Sequence, residues 1–358
     1  MTRGDLKGAP PLPSAGRAAG RLPRITYIFR RSSPTIFSIE KLFNRLYAHF
    51  EASGAAMRRL ELPHISKGVG SVLRNIWYVA RQPRSGLLHI TGDVHYATLL
   101  CPFFKTIITV HDCVALRRGT GFKRWVMWVL WFGLPLRLAS AIVVISEQTK
   151  RELLDCIALP ERKIRVIPNF VDPAFGFSQR VFASERPRIL HVGTTLNKNL
   201  PRVVAALRGV RCVLTIVGQL PAEVLEDLKE SGICYENYVS IDHAHLTRLY
   251  AEADIISFPS TYEGFGMPIL EGQAVGRPVL TSDLEPMRSV AGPGGALLVD
   301  PRSMDSIRAG FSSLLGDELL RARLISAGRE NCRRFTLEAV AAGYLALYQG
   351  LDELSDAP

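Results

Sequence analysis

The sequence predicts an α/β fold in two domains, each with a parallel sheet flanked by helices. Its 358 residues exceed what one hydrophobic core usually organises, so two domains of similar size are expected. Short apolar runs alternate with amphipathic stretches in both halves, which is typical of parallel strands joined by helices. Hydrophobic residues make up 47% and charged residues 22% of the chain, so we expect an ordinary globular protein.

The order of the elements predicts where the chain divides. Residues 1–24 are rich in Pro, Gly and Arg and have no continuous apolar segment, so they predict a basic flexible arm and not a signal peptide. A first Rossmann-like domain is expected over 25–176 and a second over 188–336. Residues 177–187 are polar and mixed in composition, which indicates a linker between the two domains.

The charge of the chain indicates which partners to expect. A formal net charge of +11 and a pI near 9.6 favour acidic partners, which include nucleic acid, phosphorylated substrates and an anionic membrane surface. The sequence has no zinc-finger spacing and no aromatic-basic RNA-binding motif, so we do not expect nucleic acid as a partner. The six cysteines are scattered without a C-x-x-C pair, which predicts reduced thiols and a cytoplasmic protein.

The most informative stretch is FPSTYEGFGMPILEGQAVG, residues 258–276. A helix is predicted to begin at Pro268 and to end before Gly276, directly after a glycine turn. Glu263 lies on the loop before this helix, and Glu271 is expected in its first turn, where backbone N–H groups favour a negative charge. Ionised carboxylates accept hydrogen bonds from neighbouring hydroxyls, so the pair suits a ribose or a hexose. The alternative is that Glu271 only supports the helix start and that Glu263 is a solvated loop residue.

Two further candidate residues follow predicted strands. His111 comes directly after the apolar run TIITV, at the end where parallel strands meet a ligand crevice. A lone histidine in such a place is more often structural, and His95 is a weaker candidate of the same kind. Lys198 lies in the loop HVGTTLNKN beside a predicted helix N-terminus, where backbone N–H groups favour a phosphate. A solvated lysine is the alternative.

These motifs resemble the family-4 retaining glycosyltransferases of the GT-B fold. EGFGMPILE reproduces the E-x7-E signature of that family, and the flanking YAEADIISFPS, AVGRPVLTSD and ALLVDP agree with it. IRVIPNFVDP resembles the segment that ends the family's first domain, with Phe170 where Gly is usual. The resemblance is specific over residues 164–340 and diffuse before them. It implies two Rossmann-like domains with parallel sheets facing a central cleft, and a C-terminal helix within 337–358 that crosses back to the first domain.

The resemblance also implies an activity. A hexose would pass from a nucleotide-diphosphate sugar to a saccharide or lipid-linked acceptor, with retention of configuration and with no metal or cofactor. Cell-envelope or exopolysaccharide synthesis would be its setting. A nucleotide-sugar epimerase of the same architecture and a non-catalytic scaffold with a decayed site are the alternatives.

Roles for individual residues follow from the same resemblance. Catalysis would involve His111, Glu263 and Lys198, with the histidine facing the transferred sugar. Glu271 would hold the ribose of the donor. The donor site would comprise Gly193, Thr194, Lys198, Glu263, Gly264, Phe265, Gly266, Met267 and Glu271. Many family members have Arg directly after the glycine of the first loop, where this chain has Thr194, so either Thr194 with backbone amides or another arginine must hold the diphosphate.

A tryptophan-rich segment, FKRWVMWVLWFGLPLRL over residues 122–138, holds three of the four tryptophans. It is too short and too interrupted by Gly and Pro to span a bilayer. Two readings stay open, a helix packed inside the first domain or an interfacial helix flanked by Lys123, Arg124 and Arg137. The second reading would let the protein dock peripherally on the inner face of an anionic membrane.

Overall fold

The computed structural model describes residues 24–31, 38–83, 86–101, 105–117, 125 and 128–353. The basic arm predicted over 1–24 lies outside these residues except for its last one, and so do Lys123 and Arg124 of the tryptophan-rich segment. Within the described residues the chain forms two sheets of six strands, and all strand pairs are parallel.

The first sheet consists of short strands, most of which are apolar enough to be buried on both faces, as a parallel sheet requires. The strands are β1 (Ile25–Phe29), β2 (Met57–Glu61), β3 (Leu87–Ile90), β4 (Lys105–Val110), β5 (Ala141–Val144) and β6 (Ile164–Val166). The accompanying helices are α1 (Ser38–Ala52), α2 (Val69–Ala80), α3 (Val114–Arg117), α4 (Leu134–Leu138) and α5 (Glu147–Cys156). The strand order β2-β1-β3-β4-β5-β6 means that the chain reverses its winding direction between β1 and β3. Ligand crevices of open α/β sheets lie at such a reversal, outside the carboxyl ends of the strands.

The second sheet repeats this design. Its strands are β7 (Arg188–Val192), β8 (Val213–Val217), β9 (Cys234–Tyr238), β10 (Ile255–Phe258), β11 (Val279–Ser282) and β12 (Leu297–Val299). Its helices are α6 (Leu200–Leu207), α7 (Ala222–Ser231), α8 (His243–Glu252), α9 (Met267–Val275), α10 (Met287–Ala291), α11 (Met304–Gly316) and α12 (Glu318–Cys332), and α13 (Leu337–Glu353) ends the described chain. The order β12-β11-β10-β7-β8-β9 places the winding reversal between β7 and β10. The loops after these two strands therefore face one crevice.

The last helix, α13, packs against the first domain. Its Tyr344 and Tyr348 are buried in the same core cluster as Tyr27 of β1. The Tyr348 hydroxyl lies 2.9 Å from the Tyr27 hydroxyl and 2.8 Å from Nδ1 of His89. Burial lowers the pKa of His89 to about 3, so this ring is neutral and serves packing. The helix joins the two halves, while the exact limits of the linker over 177–187 stay a prediction.

The described part of the tryptophan-rich segment, Trp125 and residues 128–138, packs mainly on the first domain's core. The indole N–H of Trp131 donates to the Asp93 carbonyl at 3.1 Å, and its ring centroid lies 4.6 Å from that of Tyr96. Trp128 is partly buried against the same core, whereas Trp125 is 59% exposed. The structure therefore favours core packing for two of the three tryptophans.

His95, the weaker histidine candidate, belongs to this packing and not to the cleft. It is buried, and its Nδ1 lies 2.9 Å from the Trp131 carbonyl oxygen. Burial lowers the pKa of His95 to about 4, so the ring is neutral. None of the helices in the described ranges is long and apolar enough to cross a membrane.

Candidate active site

Two loops form the floor of the crevice at the winding reversal of the second sheet. Gly193 follows β7 with φ +96°, and a Cβ there would lie 2.9 Å from the Lys198 side chain, so only glycine lets the lysine fold back over the loop. The second loop follows β10 and ends at Gly266, which precedes α9 with φ +114°. Asn199 ties the loops together, because its side-chain amide donates to the carbonyl of Pro259 at 2.9 Å.

Lys198 and Glu263, one from each loop, form an ion pair. The Lys198 ammonium lies 2.6 Å from Oε1 of Glu263, and the two side chains are 20% and 13% exposed. Asn197 donates to the same Oε1 at 3.2 Å. Among the described residues these contacts use Oε1, so Oε2 is left to accept from a ligand. The pair brings a cation and an acceptor to one point, which suits a phosphate beside a sugar hydroxyl.

Glu271 lies one residue further into its helix than the sequence predicts. Helix α9 begins at Met267 and not at Pro268, so Glu271 is the fifth residue of the helix, and the first turn holds no acidic residue. The prediction that the helix N-terminus stabilises the negative charge of Glu271 is therefore wrong. Burial raises the pKa of Glu271 to about 7, although the Tyr250 hydroxyl and the Lys198 ammonium both act to lower it. Near neutral pH this carboxyl changes charge.

A cavity of about 210 Å³ lies between the two domains and contains three of the predicted residues. His111 of the first domain faces Met267 and Glu271 of the second across it. Nε2 of His111 lies 2.8 Å from the Thr91 carbonyl oxygen, and burial lowers the pKa of His111, so the ring is neutral and Nδ1 is the acceptor. A Cβ on Gly264 would lie 2.5 Å from the His111 carbonyl oxygen, so the glycine turn reaches the histidine only because it has no side chain.

The first domain also binds this glycine turn through hydrogen bonds that the sequence did not indicate. Ser146 and Thr149 donate from their hydroxyls to the Gly264 carbonyl at 2.9 and 3.3 Å. The Tyr262 hydroxyl donates to Oε2 of Glu152 at 2.8 Å. Ser146 also caps α5, since its side chain accepts from the backbone N–H of Thr149. The sequence shows that Ser146 can cap the helix after β5, but it does not show that Ser146 also bonds Gly264.

Arg45 of α1 is an arginine of the first domain that reaches the interdomain cavity. It lines the interdomain cavity, where its guanidinium lies 2.8 Å from Oδ1 of Asp172. Nε2 of His243, from α8, lies 3.0 Å from Oδ2 of the same carboxylate. Asp172 therefore joins a helix from each domain, and Arg45 is a cation that lines the same cavity as Glu271.

Two of the predicted donor residues are oriented away from this cavity. The Thr194 hydroxyl donates to the Gln219 carbonyl at 2.6 Å and lines a different cavity, so only its backbone is left to meet a phosphate. Phe265 is 5% exposed and packs edge to face on Phe335 with the ring centroids 5.9 Å apart. Its side chain belongs to the core of the second domain, and its predicted part in the donor site is limited to its backbone.

The arrangement suits a ligand that carries both negative charge and hydroxyl groups. Lys198 and Arg45 supply positive charge, while Glu263 and Glu271 supply acceptors for hydroxyl groups. His111 adds a neutral acceptor from the opposite domain. No group of three or more His, Cys, Asp or Glu side chains that could hold a metal ion occurs in the part of the chain that the structure describes.

Comparison with known proteins shows the family of this chain. The family model "Glycosyltransferase Family 4" matches residues 62–175, and the model "Glycosyl transferases group 1" matches residues 176–331. The chain belongs to family 4 of the glycosyltransferases. The predicted family is thereby confirmed, and the two models meet where the first half of the chain gives way to the second.

Relatives and solved structures agree with this membership. An MMP alpha-(1->4)-mannosyltransferase from Mycolicibacterium hassiacum is 29% identical over 273 residues, which are 69% of this chain and 65% of the relative. The alignment thus spans less than two thirds of that relative's own length. Sucrose-phosphate synthase from Thermosynechococcus elongatus superposes with a TM-score of 0.77 at 20% identity, covering 93% of this chain and 100% of that one. HepE from Anabaena, solved with UDP and glucose, superposes with a TM-score of 0.72 at 14% identity, covering 94% of this chain and 100% of that one. These likenesses confirm the predicted GT-B fold.

Proposed function

We propose that this chain is a retaining hexosyltransferase that uses a nucleotide-diphosphate sugar and needs no metal. The observation that carries the proposal is the ion pair between Lys198 and Glu263, held 2.6 Å apart at the winding reversal of the second sheet. A cation for a diphosphate and a carboxylate for a sugar are thus fixed side by side where α/β sheets bind nucleotides. The mannosyltransferase relative and the UDP- and glucose-bound neighbour are consistent with such a donor.

In this proposal the donor lies across the cleft. Glu271 holds the ribose, and Lys198 with the backbone N–H groups of the glycine turn holds the diphosphate. Glu263 and His111 then face the hexose from opposite domains. The bond between the sugar C1 and the diphosphate oxygen breaks, and an acceptor hydroxyl oxygen bonds C1 on the same face. Its proton passes to the departing diphosphate. Preorganised cations and N–H dipoles stabilise the charge that develops there.

The setting we propose is cell-envelope polysaccharide assembly in the cytoplasm, with a saccharide or lipid-linked acceptor. A second relative, the O-antigen chain mannosyltransferase B of Escherichia coli, is 36% identical over 110 residues, or 31% of this chain and 28% of that one. A mannosyltransferase of O-antigen chains fits this setting. The segment shared with it is short, so the support concerns the class of reaction and not the linkage.

Product analysis tests the proposal. The purified protein is incubated with a panel of nucleotide-diphosphate hexoses and saccharide acceptors in EDTA, and the anomeric configuration of the product is read by NMR. We expect transfer with retention in the presence of EDTA. Inversion, or loss of transfer that manganese restores, would contradict the mechanism. Conversion of the donor to its epimer without any acceptor would instead identify an epimerase.

A further inference from the structure

A large groove opens at the carboxyl ends of β1, β2 and β3, which is the winding reversal of the first sheet. It is lined by Arg30 after β1, residues 65–68 after β2 and Asp93 after β3. Its volume is about 960 Å³, toward the upper end of the roughly 300–1,000 Å³ typical of ligand pockets. Thr91, two residues before Asp93, accepts the hydrogen bond of His111. The charges of Asp93 and Arg30 act on the pKa of His111, so this end of the groove lies near the candidate active site.

The outer wall of this groove is helix α2, which is apolar on two faces. One face packs inward on the first domain's core. Val69, Leu73 and Trp77 recur every four residues on another face and are 75%, 58% and 54% exposed. Ile65 and Leu100 extend this strip, and both are more than half exposed. Contiguous apolar side chains of this kind on a soluble protein mark a binding surface.

The strip continues beyond the groove. A second cavity of about 490 Å³ shares Leu73, Ile76 and Leu100 with the first. The two cavities therefore adjoin each other along α2, and we treat them together as one elongated, largely apolar channel. A long flexible chain fits such a shape better than a compact sugar does.

Basic side chains line both ends of this channel. Among its described lining residues the basic ones are Arg30, Arg31, Lys67, Arg74 and Arg81. The acidic one is Asp93, which lies 3.1 Å from Arg30. Arg30 also pairs with Glu40 of α1, so the positive charge that remains comes from the other four basic residues. Helix α2 itself contains no Asp or Glu. The electrostatic potential of the channel therefore favours an anionic group attached to an apolar chain.

We infer that this channel, which we call the α2 channel, binds the hydrocarbon chain and the adjoining phosphate of a lipid-linked acceptor. The chain lies along Val69, Leu73 and Trp77, and the phosphate meets Lys67 and its basic neighbours. The saccharide end then points to the cleft where His111 lies. This assignment rests on the proposed transferase function and narrows its acceptor to one class, an anionic amphiphile with a single long chain.

Binding of dodecyl phosphate, measured by calorimetry below its micelle concentration, tests the assignment without any donor or turnover. We expect one molecule to bind per protein, while inorganic phosphate and the uncharged dodecyl maltoside bind at least tenfold more weakly. Leu73→Gln and Lys67→Glu should each weaken dodecyl phosphate binding at least tenfold. Leu319→Gln and Lys229→Glu, at exposed positions of the second domain, are the matched controls and should leave it unchanged.

Three results would overturn the assignment. One is dodecyl phosphate binding that is as tight in Leu73→Gln as in the native protein. Another is binding that is weakened equally in the two control variants. The third is sedimentation with phosphatidylglycerol vesicles without any binding of monomeric dodecyl phosphate, since that would make the strip a bilayer-docking face. Far-ultraviolet circular dichroism of each variant shows that the fold is kept. If alkyl phosphate binds but no sugar transfer is found, the channel stands and the proposed reaction fails.

Discussion

Replacing Glu271 by Gln should make the unliganded protein more stable at alkaline pH and at the same time impair its nucleotide site. The carboxyl has a pKa of about 7 in the folded protein against an ordinary value of 4.5, because the folded cleft disfavours its charge. The folded state therefore holds this proton more tightly than the unfolded state does. Its contribution to stability is fully present below about pH 4.5 and is lost as the pH rises through 7.

The size of the effect follows from the two pKa values. Ionising a carboxyl whose pKa has risen from 4.5 to about 7 costs the folded state about 3 kcal/mol. Glu271 is only partly buried as a residue, and solvent in the cleft screens its charge, so we expect about 2 kcal/mol. A neutral Gln carries none of this cost. The difference in stability between Glu271→Gln and the native protein should therefore grow by about 2 kcal/mol between pH 5 and pH 8.

Urea unfolding at pH 5 and pH 8, followed by circular dichroism, measures this difference. Glu226→Gln, at an exposed position of α7, is the matched control and should show no such growth. Calorimetry at pH 8 should show that Glu271→Gln binds nucleoside diphosphate about 10- to 100-fold more weakly, as expected for a lost hydrogen bond to a charged group. A variant that is less stable than the native protein at pH 8, or a pH-independent difference, would refute the reasoning.

Two further variants test the loops of the second domain. Lys198→Ala should lower the transfer rate about 100-fold by removing the cation beside the departing diphosphate, and steady-state kinetics that leave the turnover number unchanged would exclude that role. Ser146→Ala combined with Thr149→Val frees the Gly264 carbonyl, so we expect about a tenfold fall in turnover number with little change in nucleoside diphosphate affinity. If affinity falls as much as turnover, the two hydroxyls support the fold and do not position the turn.

Much of the fold was predictable because its signals are local. The apolar runs of β4 and β10 and the helix after the glycine turn depend on neighbouring residues, so periodicity and the Pro and Gly positions reveal them. The motif around Glu263 was readable for the same reason. In the structure Lys198 lies beside Glu263, because both residues follow strands that end at one crevice.

The rest depends on contacts distant in sequence. The hydrogen bonds from Ser146 and Thr149 to Gly264 join residues more than a hundred positions apart. The pKa of Glu271 depends on burial, which a motif does not reveal, and a one-residue shift of the helix start removed the expected dipole support. Tryptophan content drew attention to residues 122–138. The exposed apolar strip lies on α2 instead, because this helix has apolar residues on its outward face as well as on the face that packs on the core.

Thermal unfolding with a panel of nucleotide-diphosphate sugars tests the central claim, that the cleft holding Lys198, Glu263 and Glu271 is a donor site. At one hundred times its dissociation constant the correct donor should add about 2.7 kcal/mol to the stability of the native protein. The shift should be much smaller in Lys198→Ala and Glu271→Ala and unchanged in Glu226→Gln. If no nucleotide sugar raises the unfolding temperature, or if one raises it equally in all three variants, the cleft is not the donor site.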